Sequence, residues 1–220
     1  MIISPILISL KVALVATIIT LIIGLFLARL LITYSFIGKD LLEAVILLPM
    51  VLPPSVIGYG LIILVGRRGA IGKIIYRVFE INILFTWAAA CIAAVTVALP
   101  IMYQSCKSAL LNVDHSYENA ARGLGADEKS VFWKVSLPLA SPGIISGTVL
   151  SFARAFGEFG ATLMVAGNIP GKTETIPLAI YFAVEGGNLK KANILMRIVG
   201  LFSFILIYSL NTWLKKKQYK

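Results

Sequence analysis

The chain is built from long apolar runs separated by short polar stretches. Four runs are nearly uninterrupted and cover residues 6–32, 83–111, 138–165 and 192–214, while a fifth, at residues 41–65, is divided by prolines. A helix of about 20 apolar residues crosses the hydrocarbon core of a bilayer. The pattern therefore predicts an all-α polytopic membrane protein with about five transmembrane helices.

The fifth run differs from the others because it contains Pro49, Pro53 and Pro54, followed by two glycines. Proline removes a backbone donor and kinks or breaks a helix. Broken helices are tolerated at membrane depth where they face protein or a water-filled path. This segment is either a kinked helix with a packing role or a gate-forming helix that lines a pathway.

Residues 66–82 alternate basic and apolar side chains, which favours a short amphipathic helix at the membrane surface. Its cations have two open interpretations. They anchor the helix among lipid headgroups, or they contact an acidic patch on a soluble protein or attract an anion. The cations are Arg67, Arg68, Lys73 and Arg77.

Charge and cysteine content narrow the class of protein. Of the 220 residues, 59% are hydrophobic and only 14% charged, and the net charge of +10 comes mainly from residues between or beside apolar runs. Such a distribution is typical of headgroup anchoring, and without a basic face interleaved with aromatics we expect no nucleic-acid binding. Cys91 and Cys106 lie about 22 Å apart along one predicted helix, too far for a disulfide.

The predicted topology has the N-terminus outside and the C-terminus, a basic tail at residues 211–220, in the cytoplasm. The first segment lacks a cleavage site, so we expect it to be retained. Ten Lys or Arg residues then fall inside and seven outside, a weak positive-inside bias. Those inside are Arg29, Lys39, Lys107, Arg122, Lys129, Lys134, Lys215, Lys216, Lys217 and Lys220; those outside are Arg67, Arg68, Lys73, Arg77, Lys172, Lys190 and Lys191.

Residues 117–143 are the longest polar island in the sequence. Asp114 or Ser116 can cap a first short helix, Gly125 can end it in a left-handed conformation, and Asp127 can cap a second. Pro138 would restart the chain at the next apolar helix. The island is interpreted as the surface where a soluble partner docks.

The island resembles the EAA loop of binding-protein-dependent ABC importer permeases: Glu-Ala-Ala, three residues, Gly, nine residues, Ile, any residue, Leu-Pro. Asn119 stands where the family has glutamate, with Glu118 before it. The resemblance implies a type I permease fold over residues 5–210, with a coupling loop at 114–137 that docks on the ATPase. The implied contact residues are Glu118, Asn119, Ala120, Ala121, Gly125, Val135, Leu137 and Pro138.

Three further stretches, GRRGAIG, FARAFGEFGATLM and GNIPGKTETIPLAIY, resemble the molybdate branch of this family and, less closely, its sulfate and tungstate branches. The resemblance implies a homodimer with two cytoplasmic ATPase subunits and an extracytoplasmic molybdate-binding protein. ATP and Mg would bind to the ATPase, so this chain would hold no cofactor or metal and catalyse no bond change. The alternative is a permease for tungstate or sulfate/thiosulfate.

Two charges inside a predicted span, Arg154 and Glu158, lie four residues apart on one helical face. They form a structural ion pair, or they contribute to an anion path together with Pro53 and Pro54. For contacts with the binding protein, the candidates are Arg67, Arg68, Lys73 and Lys172.

Residues 166–173 read A-x-x-x-x-G-K-T, a relaxed phosphate-loop pattern. A phosphate loop joins a strand to a helix in an α/β domain, so we expect no ATP binding here.

Two other classes of protein remain as alternatives to an ABC importer permease. A membrane-embedded enzyme is disfavoured because no His, Asp or Cys cluster converges in the spans. A stand-alone channel or secondary transporter would transport without an ATPase.

Overall fold

The computed structural model describes residues 2–218, and the side chains up to residue 215. Regular structure in this part of the chain is helical. The helices are α1 (Ile3–Thr33), α2 (Lys39–Leu47), α3 (Pro54–Val65), α4 (Ala70–Phe79), α5 (Trp87–Leu111), α6 (His115–Gly123), α7 (Glu128–Val131), α8 (Leu137–Phe156), α9 (Gly160–Ala166), α10 (Ile176–Glu185) and α11 (Leu189–Gln218).

Within the described residues, four helices are long and apolar enough to cross a membrane, and the number is five if one bent pair counts as a span. The four are Ile3–Thr33, Trp87–Leu111, Glu128–Phe156 and Leu189–Lys215. The bent pair is Lys39–Met50 with Pro54–Val65, whose axes differ by 117°. The prediction of an all-helical membrane fold is confirmed.

The core is formed by α1, α5 and α8, which pack closely because small residues line their contacts. Ala13, Ala16, Ala90 and Ala94 are fully buried. A Cβ added to Gly147 of α8 would lie 2.3 Å from the Cβ of Ser105 in α5. Larger side chains at these positions would force the helices apart.

The proline-rich segment is a broken helix. A short 3-10 turn, Leu48–Met50, follows α2, and the chain then reaches α3 at Pro54. α3 packs on α9, where a Cβ on Gly58 would lie 2.8 Å from the sulfur of Met164. The break is thus part of the core contact between α3 and α9.

Two predicted boundaries are wrong, and one helix was not predicted. The predicted span at 138–165 is interrupted, because α8 ends at Phe156 and α9 begins at Gly160. Residues 167–191, which lie between the predicted spans 138–165 and 192–214, include α10, which has a proline at its first turn. Finally, α11 extends to Gln218, so the predicted tail at 211–220 is helical as far as it is described, whereas the side chains of Lys216, Lys217 and Lys220 lie outside the described residues.

Pro138 does not restart the chain as predicted. α7 continues through one wide π-helical turn, Phe132–Ser136, directly into α8, so residues 128–156 form one helix. Proline has no N–H, and its ring displaces the carbonyl four residues earlier. A single wide turn just before Pro138 relieves that clash while the helix stays continuous.

Candidate functional site: the polar loop and the helix breaks

Short-range hydrogen bonds define both ends of α6. The carboxylate of Asp114 accepts a 2.8 Å hydrogen bond from the backbone N–H of Ser116, and this bond holds the pKa of Asp114 below its usual value. At the other end, Gly125 has φ of +85°. The N–H groups of Gly125 and Ala126 donate to the carbonyls of Arg122 and Ala121, the arrangement of a Schellman motif. Asp114 is therefore the cap, and the left-handed role predicted for Gly125 is confirmed.

The second helix of the loop begins as predicted at Asp127, whose carboxylate accepts a 3.2 Å hydrogen bond from the N–H of Ser130. Hydrogen bonding to Ser130 lowers the pKa of Asp127. The two caps and the glycine thus define two short helices, α6 and α7, which are joined by a turn and follow α5.

Glu118 points into the loop. Its Oε1 accepts a 2.6 Å hydrogen bond from the hydroxyl of Ser136, which lies in the π-helical turn. His115 and Arg122 lie at 3.2 and 3.7 Å from its other oxygen. The bond from Ser136, followed by the contacts with His115 and Arg122, lowers the pKa of Glu118, so the carboxylate is charged at neutral pH.

Asn119 occupies the position where the family pattern has glutamate, and it faces Arg122. Its Oδ1 accepts a 3.0 Å hydrogen bond from Arg122, which also pairs with Glu128 at 2.7 Å. The guanidinium is therefore neutralised within the loop. Sequence reasoning overlooked Arg122, although its place between acidic groups at helical spacing was a usable signal.

One part of the outer surface of the loop is small and apolar, and polar or charged side chains such as Asn119 and Arg122 are exposed around it. Ala120 is exposed, Ala121 half-buried, and Leu124 is 90% exposed at the tip. A shallow concavity beside Leu124 is lined by Ala121, Gly125, Ala126, Asp127, Ser130, Lys134 and Val135. The structure thus brings Ala121, Gly125 and Val135 of the predicted set together, whereas Leu137 and Pro138 lie farther along the continuous helix. Leu124 was not predicted, because a lone leucine in a polar island carries no specific signal.

Arg154 and Glu158 form an ion pair, but not on one helical face as predicted. Glu158 lies beyond the last residue of α8, in the break before α9. One of its oxygens accepts a 2.8 Å hydrogen bond from Arg154, and the other accepts a 2.8 Å bond from the backbone N–H of Ala161. The carboxylate, only 3% exposed, thus satisfies a donor that the helix break leaves open.

The two broken helices meet at this point. A Cβ on Gly160 would lie 2.5 Å from the Cβ of Pro54, so the breaks in both helices touch. Pro53 and Pro54 are exposed on the single chain, whereas Glu158 is buried beneath them. Three of the four predicted path residues, Pro54, Arg154 and Glu158, therefore lie around one junction.

The residues predicted to contact the binding protein lie in two separate parts of the structure. Arg67 donates a 2.7 Å hydrogen bond to the hydroxyl of Tyr76 and stacks on its ring, while Arg68 and Lys73 are exposed beside it. Lys172 is exposed in the turn between α9 and α10. That turn contains the A-x-x-x-x-G-K-T sequence but joins two helices, and its Thr173 is fully buried.

Neither a metal site nor a disulfide is found in the described part of the chain. Residues 2–218 contain no group of three or more His, Cys, Asp and Glu side chains that could hold a metal ion. Cys91 and Cys106 are both buried free thiols.

Several known proteins are similar to this chain over nearly its whole length. The molybdenum transport system permease protein ModB of Escherichia coli K12 is 45% identical over 97% of this chain and 93% of its own length. ModB of Haemophilus influenzae is 40% identical over 99% of this chain and 95% of its own length. The sulfate transport system permease protein CysT of Salmonella typhimurium is 35% identical over 93% of this chain and 74% of CysT.

The fold also matches a solved transporter. A chain of the MetNI methionine ABC transporter, in an inward-facing conformation, superposes with a TM-score of 0.75 over 97% of this chain and 94% of that one, at 17% identity. The likeness shows that the fold is that of type I ABC importer permeases. Residues 20–217 match the family model described as binding-protein-dependent transport system inner membrane component. The chain therefore belongs to that family of multi-pass inner-membrane transport subunits.

Proposed function

We propose that this chain is the membrane subunit of an ATP-driven importer of molybdate. One observation carries the proposal. Relatives named as molybdenum permeases are 40–45% identical across almost the full length of both chains, and the sulfate permease is less similar and is covered over only 74% of its length. The subunit carries out no bond chemistry itself.

The proposed assembly is a homodimer with two ATPase subunits that bind ATP and Mg²⁺, while this chain holds no cofactor. Each ATPase would seat the small apolar surface around Ala120, Ala121 and Leu124. The capped helices of the loop support this role because they present that surface rigidly to the cytoplasm. Asn119, uncharged and hydrogen-bonded to Arg122, would contribute shape rather than charge to the contact.

The proposed orientation places the N-terminus outside and the C-terminus in the cytoplasm. It is supported by the ten cations inside against seven outside. The binding protein would then meet the outer surface at Arg67, Arg68, Lys73 and Lys172. Arg68, Lys73 and Lys172 have exposed side chains that suit acidic patches on a partner.

The proposed anion path passes the junction of the two breaks, beside Pro53, Pro54 and the Arg154–Glu158 pair. Arg154 supplies positive potential, and Glu158 at 2.8 Å tempers it. A site of this kind attracts a dianion weakly, as a transporter requires, because tight binding would slow release.

The test is uptake of radiolabelled molybdate by vesicles that contain the chain, its ATPase and the binding protein. Uptake should require ATP and should be inhibited more strongly by unlabelled molybdate than by tungstate or sulfate. Preferred uptake of sulfate/thiosulfate or tungstate would favour the alternative substrate. Uptake that persists without the ATPase would overturn the importer and support a channel or secondary transporter.

The path is tested by Arg154→Gln, with Lys190→Gln at the exposed start of α11 as a control for the loss of one positive charge. We expect uptake to fall about tenfold in the first variant, the equivalent of about 1.4 kcal/mol, and little in the second. Both variants should still copurify with the ATPase. Equal uptake by the two variants would remove Arg154 from the path.

A further inference from the structure

Glu118 connects α6 with the π-helical turn, Phe132–Ser136. It lies in α6, close to the surface offered to the ATPase, yet its side chain is only 16% exposed. Its 2.6 Å bond from Ser136 reaches across to the π-helical turn at the start of the membrane-entering helix. A displacement of α6 is therefore passed on to that turn through a charged hydrogen bond, the stronger class of hydrogen bond.

The same turn is held from the opposite side by α1. The guanidinium of Arg29 lies 3.7 Å from the centre of the Phe132 ring, a cation–π contact. Phe132 is 9% exposed, so its ring is fixed by packing. The π-helical turn thus has one clamp to α6 through Ser136 and one to α1 through Phe132.

A wide turn of this kind is a place where a helix can change its winding without breaking, and π-turns are frequent at functional sites. Here the turn lies just before Pro138, and the Ser136 hydroxyl also lies 3.5 Å from the carbonyl of Val131 at the start of the turn. The Ser136 hydroxyl that donates to Glu118 is therefore the same group that contacts the backbone of the π-helical turn. α6 is also linked to this helix by the Arg122–Glu128 pair, which lies at the first turn of α7, before the π-helical turn.

We propose that Glu118 and Arg29 are positioning residues that clamp the π-helical turn between α6 and α1. Movement of the docked α6 then turns the membrane helix 128–156 and draws α1 with it. Glu118 acts inward on this chain and not on the ATPase. The inference rests on the proposed function, because it assigns a route for the motion that the ATPase supplies.

The test compares transport with ATP hydrolysis in the complete reconstituted transporter. The variants are Glu118→Ala, Glu118→Gln, Ser136→Ala and Arg29→Gln. Glu128→Gln is the matched control, because Glu128 also pairs with Arg122 but is 72% exposed and does not touch the turn. The readouts are copurification of the ATPase and the amount of molybdate imported per ATP hydrolysed.

We expect every variant to assemble and hydrolyse ATP. Import per ATP should fall about fivefold or more for Glu118→Ala, within the usual range of coupling between two sites. Glu118→Gln should lose less, because its amide oxygen still accepts from Ser136. Combining Glu118→Ala with Ser136→Ala should add nothing, since both remove the same bond.

The outcomes separate this inference from the proposed function. No ATP-dependent molybdate uptake by the unmodified transporter would overturn the function itself. Normal uptake with an unchanged import-to-ATP ratio in the Glu118 and Ser136 variants would overturn only the clamp. Loss of ATPase copurification in Glu118→Gln but not in Glu128→Gln would also overturn it, because Glu118 would then be a docking residue.

Discussion

The helices of this protein are interrupted in two different ways. In the membrane, the backbone is broken outright between α2 and α3 and between α8 and α9, and the two breaks touch at Pro54 and Gly160. By contrast, the helix that leaves the polar loop at residues 114–137 is only widened, at Phe132–Ser136, and continues unbroken to Phe156. Both interruptions lie close to prolines.

The difference follows from what each place must do. A true break frees backbone groups that need new partners, and Glu158 supplies one by accepting from Ala161. Under the proposed function, the irregular, polar backbone at such a break is where an anion would pass. A widened turn keeps its backbone bonded, as the bond from Leu137 to Phe132 shows, so under the same proposal it would transmit displacement along the helix axis. The proposal thus places the broken helices beside the path and the widened helix where force is passed on.

Filling the junction of the two breaks should have the largest effect. Gly160→Val would place side-chain carbons where a Cβ alone already comes within 2.5 Å of Pro54. We expect a loss of about 3 kcal/mol, the upper end of usual overpacking, and loss of uptake, measured by thermal unfolding and vesicle transport. The control is Gly200→Ala in α11, where an added Cβ meets nothing within 4 Å. Equal behaviour of the two variants would show that the breaks do not need their close contact.

The second largest effect is expected when Glu158, which caps the break between α8 and α9, is removed. Glu158→Ala leaves the N–H of Ala161 and the guanidinium of Arg154 without their partner, at a cost of about 2 kcal/mol. Arg154 is 36% exposed, so solvent moderates its share. Glu158→Gln should be milder, because an amide oxygen still accepts from Ala161. The measurement is thermal unfolding in detergent. If Glu158→Gln lowered the unfolding temperature as much as Glu158→Ala, the charge of Glu158, and not its hydrogen bond to Ala161, would stabilise the break.

The sequence predicted the features that depend on local chemistry. The spans followed from hydrophobic run length, and the caps at Asp114 and Asp127 and the left-handed Gly125 followed from residue type at helix ends. The features it missed depend on tertiary contacts. Pro138 alone could restart a helix or widen one, and the packed, hydrogen-bonded Ser136 and Phe132 favour the second.

The break after Phe156 was missed for a related reason. Residues 138–165 are mostly apolar, with Arg154 and Glu158 at helical spacing, and Gly157 and Gly160 are compatible with a membrane helix. The contact of Gly160 with Pro54, over a hundred residues away, makes the break visible only in three dimensions. α10 was missed because its ten residues are too short for a span.

A smaller effect is expected at the turn between α6 and α7, which precedes the continuous helix 128–156. Gly125→Ala forces a side chain into φ of +85°, which costs about 1 kcal/mol. An added Cβ meets nothing within 4 Å, so the cost is purely conformational. Gly123→Ala, in open space within α6, is the matched control and should be neutral or stabilising. Limited proteolysis of the loop should distinguish them, and equal cleavage would contradict the left-handed requirement.

The smallest expected effect is a pH dependence of the clamp. The pKa of Glu118 is held below its ordinary value of 4.5, chiefly by Ser136 and then by His115 and Arg122. A carboxylate whose folded pKa is depressed stabilises the fold fully above its unfolded value and loses that contribution as the pH falls through the folded pKa. The melting advantage of the unmodified chain over Glu118→Gln should therefore be constant near neutral pH and shrink below about pH 4.5. Measuring both in a His115→Gln background removes the contact of His115 with Glu118, while Asp114, Asp127 and Glu128 are common to both proteins and cancel. An advantage that grows on acidification would show that Glu118 is destabilised in the fold, and a charged clamp on the π-helical turn would then be ruled out.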